Sequence, residues 1–378
     1  MSKKIKLLFL TGTRADFGKL KTLMKKIEGN ERYELLIFVT GMHLLSKYGY
    51  TCEEVEKEGF QRIHKFINQN SNDSMDHILS KTIMGLSDYI HENSPDMLII
   101  HGDRVEALAG AAVGALNNIL VGHIEGGEVS GTVDELIRHS VTKLSNVHFV
   151  SNIEAQKRLL QLGESEESIY VIGSPDVDVM NSDTLPTLAN VKERYGFDFS
   201  EYAILLFHPV TTEIDSLKSD IRKVVDSVIS SNKNFIVIYP NNDLGSDIII
   251  EEYERLRTLK NIRIYPSMRF EYFLTLLKNA SFMVGNSSAG VREAPHYGVP
   301  SVNLGTRQFN RVNCDSVINC SIDSMEISDS FDKVLHTSRE RTENFGIGNS
   351  AEKFLEILDM ENFWRRNSQK YFIDREFV

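Results

Sequence analysis

Short apolar runs recur along the first half of the chain, at 5–11, 35–40, 97–100, 119–124, 147–150 and 169–172, each followed by a longer helix-like segment. Strands that alternate with helices form βαβ units, so the pattern predicts a parallel sheet with helices on both faces. After Gly173, Ser174 and Pro175 the pattern loosens, and the stretch 181–200 is polar. Strand-like runs resume at Ala203 in AILLFHP, NFIVIYPNN, IRIYPS, FMVGNSS and SVNLG. The expectation is an α/β protein of two Rossmann-like domains, 1–174 and 175–350, facing each other across a cleft. A helical tail, 351–378, is expected to dock back on one of them.

Several of these runs turn polar at their last residues, which is where a parallel sheet opens into a ligand crevice. DMLIIHGD (96–103) ends in Asp103, and the run 119–124 ends in Glu125, Gly126 and Gly127. Between them, 104–117 is alanine-rich and predicts a helix. Thr132, with Glu135 three residues later, reads as a capping box that puts Asp134 in the first turn of the next helix. Asp103, Glu125 and Asp134 are thereby expected to converge on one crevice. His101, His123 and His139, from the stretch 101–140, read more readily as core histidines or as partners behind these carboxylates than as catalytic groups. The first run enters TGTRADFGK, where Gly12 permits a tight turn and Arg14 stands at a helix start, a ready anion site. No GxGxxG follows, so a dinucleotide fingerprint is not supported.

In the second half, His208 sits between an apolar run and Pro209, where a polar side chain has little packing value. Gly285, Asn286, Ser287 and Ser288 form a predicted strand-to-helix turn whose N–H groups, hydroxyls and helix dipole could hold phosphate oxygens. Arg307 and Arg311 follow close in sequence. A neutral cradle without a P-loop lysine suits a diphosphate bound as a leaving group.

Length and charge narrow the classes. At 378 residues the chain exceeds one ordinary domain and fits two. A net charge of −11 with no basic run argues against a nucleic-acid partner. The apolar start ends at Leu10, too short for a signal peptide, and no stretch is long enough to span a membrane. Three cysteines without CxxC spacing fit a reducing, cytoplasmic location. His-x-Asp and His-x-Glu pairs could bind metal, but a phosphoesterase-type site needs a Gly-Asn-His segment where this chain has GNSS, so no metal is expected.

Taken together, TGTRADFGK, HGDRVEAL, HIEGGEVSGTVDELIRHSVTKL, FHPVTTE, YPNNDLGS, GNSSAGVRE and LGTRQ resemble the hydrolysing UDP-N-acetylglucosamine 2-epimerases, over roughly residues 4 to 320. The resemblance implies a GT-B fold with a UDP-sugar between two Rossmann-like domains and no metal or nicotinamide cofactor. It implies elimination of UDP through 2-acetamidoglucal, then hydration, giving N-acetylmannosamine for sialic acid synthesis. Carried over by position, it makes Asp103, Glu125 and Asp134 the catalytic carboxylates and His208 an assistant near the leaving phosphate. Arg14, Asp16, Lys19, Arg104, Ser287 and Ser288 become diphosphate or active-site contacts. Asn241, Phe273, Glu293 and Arg307 surround the uracil and ribose, with Phe273 stacked on the base. A homo-oligomer, dimer or tetramer, is also implied. VTGMHLLSKYG and FEYFLTLLKNA resemble the branch acting on UDP-2,4-diacetamido-2,4,6-trideoxyglucose, which stays open as an alternative substrate. A GT-B glycosyltransferase is the more distant alternative; it would leave the C2 proton of the sugar in place.

Overall fold

The computed structural model describes residues 3–70, 73–130, 133–241, 243–308, 314–371 and 373–374. Thr132 and Arg311 lie outside the described residues. The chain forms two compact units, one of Met1–Glu128, Asp134–Asn181 and Phe345–Val378, the other of Val129–Val133 and Ser182–Asn344. The divisions thus fall after Asn181 and Asn344, where the sequence suggests 174/175 and 350/351. Pro175 marks a helix start rather than a boundary: it occupies the first turn of Pro175–Met180, a position that needs no N–H donor.

The first unit is a seven-stranded parallel sheet of β1 (Ile5–Thr11), β2 (Tyr33–Val39), β3 (Ile63–Lys65), β4 (Met97–His101), β5 (Leu120–Ile124), β6 (Val147–Val150) and β7 (Ile169–Val171). Its order is β3-β2-β1-β4-β5-β6-β7. β1 pairs with β2 on one side and β4 on the other, so the order reverses between β1 and β4. In such sheets ligands bind outside the strand carboxyl ends at this reversal. β3, which the sequence pattern does not predict, has three residues and is mostly exposed.

The second unit repeats the plan with β8 (Ala203–Leu206), β9 (Phe235–Ile238), β10 (Ile262–Tyr265), β11 (Met283–Gly285), β12 (Ser301–Leu304) and β13 (Val317–Cys320). The order is β10-β9-β8-β11-β12-β13, all parallel, with the reversal between β8 and β11. Strands buried on both faces explain the unbroken apolar runs: Leu7, Leu8, Phe9, Ile204 and Leu205 are all fully buried.

The tail is part of the first unit's core. Phe354, Ile357 and Leu358 from the helix Ser350–Asp359, with Phe363, cluster with Phe9, Leu23, Met24 and Ile27. The Tyr33 hydroxyl donates to Asp359 at 2.7 Å. All three cysteines are free. Among the described residues no helix is long and apolar enough to cross a membrane.

Candidate active site

At the carboxyl end of β1 the chain turns through Gly12 and Thr13 into the helix Arg14–Glu28. Asp16 builds this turn. Its carboxylate accepts from the Thr11 hydroxyl at 2.5 Å, Gly12 N–H at 2.9 Å and Thr13 N–H at 3.1 Å, and the Thr13 hydroxyl caps in return. Gly41, with φ +63, lies so close that a Cβ there would stand 2.5 Å from the Gly12 carbonyl oxygen. Arg14 donates to Glu54 at 2.5 Å. Beneath the turn lies Glu106, 3 % exposed, its carboxyl raised by burial. The sequence gives no sign of this residue's place; its position in the first turn of Val105–Leu116 does not show that the side chain reaches back under β1.

β4 and β5 end side by side, with His101 paired to Ile124 and Gly102 N–H donating to the Ile124 carbonyl at 3.0 Å. Asp103 follows on the same turn and forms an ion pair with Arg138, which is nearly fully buried. Arg138 lies on the helix Val133–Leu144, one turn beyond Asp134, and also donates to the Glu128 carbonyl at 3.2 Å. Arg104 occupies the N-cap of Val105–Leu116 in extended conformation.

Glu125 is 4 % exposed and has φ +62, a left-handed backbone conformation that costs a non-glycine residue on the order of 1–3 kcal/mol. Surrounding groups hold it there. Its N–H donates to the Phe149 carbonyl at 2.9 Å, His101 Nε2 lies 3.1 Å from Oε2, and the Ser174 hydroxyl donates to Oε1. Lys19 Nζ stands 3.7 Å from Glu125 and 3.2 Å from Asp176, which is 1 % exposed. Asp176 and Ser174 are not among the residues the sequence singles out, because Gly-Ser-Pro-Asp reads as a turn and only the folded chain brings it against Lys19.

His123 stands behind this edge. Its Nε2–H donates to the Gly102 carbonyl at 2.8 Å, and Nδ1 accepts from the Thr142 hydroxyl at 3.2 Å. Burial lowers its pKa to about 3, so it is a neutral strut between the Asp103 turn and the helix that carries Asp134. The sequence leaves two readings for His123, core histidine or partner behind the carboxylates; it is fully buried and meets a backbone carbonyl and a hydroxyl.

The second unit's edge is built differently. His208, just past β8, donates its backbone N–H to Asn286 Oδ1 at 2.6 Å and accepts Asn286 Nδ2 at its carbonyl at 2.8 Å. Asn286, just past β11 and 1 % exposed, therefore ties together the two strand ends at the reversal. Asn241 N–H donates to His208 Nδ1 at 3.0 Å, which fixes the neutral ring in its Nε2–H form. Gly285, with φ +136, permits the approach: a Cβ there would meet the Leu206 carbonyl oxygen at 2.0 Å.

After Gly285 the chain makes a short 3-10 turn, Ser288–Gly290, and then the four-residue helix Glu293–His296. The helix expected after GNSS is thus broken into two short pieces, with the Ser287 hydroxyl accepting from Ala289 N–H at 3.3 Å at the start of the first. Individual N–H groups and hydroxyls, rather than a large helix dipole, are what this turn offers an anion. Arg307 and Gln308 donate to the Asn286 carbonyl at 3.3 and 3.1 Å. Glu293 is 4 % exposed, and Phe273 lies on the buried face of Phe270–Lys278. Among the described residues no group of three or more His, Cys, Asp or Glu is arranged to hold a metal ion.

A family model described as UDP-N-acetylglucosamine 2-epimerase matches residues 25–359. A UDP-N-acetylglucosamine 2-epimerase from Neisseria meningitidis serogroup B is 48% identical over 373 residues, which cover 98% of this chain and 99% of that protein. A hydrolysing UDP-N,N'-diacetylbacillosamine 2-epimerase from Legionella pneumophila is 33% identical over 358 residues, covering 93% and 95%. A solved UDP-GlcNAc 2-epimerase from N. meningitidis, bound to UDP-GlcNAc, matches with a TM-score of 0.80 at 18% identity, over 94% of this chain and 99% of that one. That likeness shows the GT-B-like fold of two Rossmann-like units. The family match over most of the chain and the near-half-identical relative of equal extent agree with the motifs at both sheet edges, and the chain is an enzyme of the UDP-N-acetylglucosamine 2-epimerase family.

Proposed function

We propose that the protein converts UDP-N-acetylglucosamine and water to N-acetylmannosamine and UDP, as a step toward nonulosonic acids. The C2 proton is removed, the electron pair becomes the C1=C2 bond, and the C1–O bond breaks with departure of UDP. Water then adds its oxygen to C1 of the 2-acetamidoglucal while C2 takes a proton on the opposite face. The observation that carries this reading is the buried, strained Glu125 set beside the Asp103 turn, each already paired with a cation or imidazole. Acid and base groups held in position in this way contribute roughly 10²- to 10⁴-fold each.

Asp103, Glu125 and Asp134 carry the proton transfers, supported by His101, Lys19 and Arg138. In the second unit, the Nε2–H of His208 and the Ser287–Ser288 turn stabilise the departing diphosphate. Arg14 and Arg104 add positive charge. Asp16 serves by shaping the Gly12 turn. Asn241, Phe273, Glu293 and Arg307 are assigned to the uridine. Substrate discrimination between GlcNAc and its 2,4-diacetamido-trideoxy relative is the finer question; the Neisseria relative favours the former and the Legionella relative the latter. A cytoplasmic homo-oligomer of two or four copies completes the proposal, supported by exposed Met84 and Leu116 on the contacting helices Met75–Asn93 and Val105–Leu116.

Proton NMR with UDP-GlcNAc in D₂O tests the reading. The expected products are UDP and N-acetylmannosamine deuterated at C2. Turnover only of the diacetamido-trideoxy sugar would move the assignment to that substrate. Release of GlcNAc that keeps its C2 proton would overturn the mechanism.

A further inference from the structure

The helix Val133–Leu144 presents Asp134 in its first turn and Arg138, the partner of Asp103, in the next. Its last turn leaves carbonyls that have no donor within the helix. Lys370, from the tail, reaches them. Its Nζ donates to the carbonyls of Thr142 at 2.9 Å, Lys143 at 3.2 Å and Ser145 at 2.8 Å. A cation at this end of a helix is also favoured by the helix dipole.

The same ammonium pairs with Glu164, whose side chain is fully buried. Glu164 also receives Lys143 Nζ at 2.8 Å and His148 Nε2 at 3.0 Å, and Lys143 donates to the Leu162 carbonyl at 3.1 Å. Burial alone would raise the Glu164 carboxyl, but the His148 N–H and the two ammonium groups hold it down to about 2. One further bond ties the tail to the helix end: Asn146 Nδ2 donates to the Ser368 carbonyl at 2.7 Å.

We propose that residues 368–370 form a latch that positions the helix carrying Asp134, with Lys370 as a positioning residue for the reaction. The inference rests on the proton-transfer role proposed above for Asp134 and Asp103. A twelve-residue helix is about 18 Å long and moves as a rod. A tilt of about 3° at its clamped end displaces the other end by about 1 Å, and a displacement of that size can cost about 10²-fold in rate.

The test compares Lys370→Met, Lys370→Arg and Asn146→Ala with the wild-type chain and with Asp134→Asn. Lys370→Met is expected to lower kcat about 10- to 100-fold while KM for the UDP-sugar stays within about twofold. Lys370→Arg, which keeps a cationic donor, recovers most of that loss, and Asn146→Ala shows a smaller fall of the same kind. Hydrogen exchange should quicken in Val133–Leu144 of the Lys370→Met protein and stay unchanged in the second unit's helix Ile214–Ser230. If Lys370→Met does not fold, the kcat against KM split in Asn146→Ala decides in its place. Wild-type kcat in Lys370→Met, or in Asn146→Ala where Lys370→Met does not fold, or a loss confined to KM, overturns the latch. Full activity in Asp134→Asn would instead remove the reading on which the latch rests, whereas an inactive Asp134→Asn beside fully active latch variants sinks the latch alone.

Discussion

The two sheets share one topology and end in opposite chemistry. At the reversal of the first sheet and beside it, the edge is crowded with charge: Asp103 on Arg138, Glu125 beside Lys19 and His101, Asp176 on Lys19. At the reversal of the second sheet the strand ends are joined by neutral amide groups, with Asn286 bridging to His208 and Asn241 fixing its ring. Proton transfer needs groups that change charge at a fixed place, and paired ions provide the place. Holding a departing diphosphate needs N–H and O–H dipoles already oriented, which cost no reorganisation when the charge arrives. In the proposed reaction one fold serves both tasks, because function resides in the residues just past the strands.

The largest effect should come from the charged edge. Glu125→Gln is expected to lower kcat by about 10³-fold or more, with the affinity for UDP, read by calorimetry, unchanged. A parallel loss of UDP affinity would mean the two edges are not separable in this way. At the neutral edge, His208→Ala should cost roughly 10²- to 10³-fold in kcat, because one oriented donor is lost; an unchanged kcat would remove His208 from leaving-group stabilisation. Ser288→Ala should raise KM only a few-fold, close to the value of one neutral hydrogen bond of about 1 kcal/mol.

The smallest effect at neutral pH concerns stability. Burial lowers His43 to about 4 and His123 to about 3. The unfolded chain takes up these protons near pH 6.5 and the folded chain only well below, so stability falls as pH drops from about 6.5 toward 3. Each histidine contributes about 1.4 kcal/mol per pH unit in that window. Urea melts between pH 7 and 4.5 should show the slope, and His123→Asn should reduce it by about one proton; an unchanged slope would show that His123 is not held neutral.

Much of this architecture is legible in the amino-acid sequence. Apolar runs ending in Asp, Glu or His predict parallel strands and mark both edges. The features that are not legible have a common cause. β3 and β13 are short edge strands, so little burial shapes their sequence. Asp176, Ser174 and Glu106 owe their surroundings to residues far away along the chain, as does Lys370, 225 positions from the Ser145 carbonyl it caps. Local pattern reports local structure; an ion pair between distant segments leaves no periodic trace. Pro175 carries a true signal, a helix start, that looks like a domain boundary.

The return of the tail to the first unit also bears on how the chain is made. Phe354, Leu358 and Phe363 fill the core around Phe9, yet they leave the ribosome after the whole of the second unit. At about 5–20 residues per second, the nascent first unit must wait roughly 10–30 s with that core surface open. The second unit, continuous from Ser182 to Asn344 apart from the short 129–133 segment, has no such wait. During synthesis the half of the molecule that is begun first is therefore the half that is finished last.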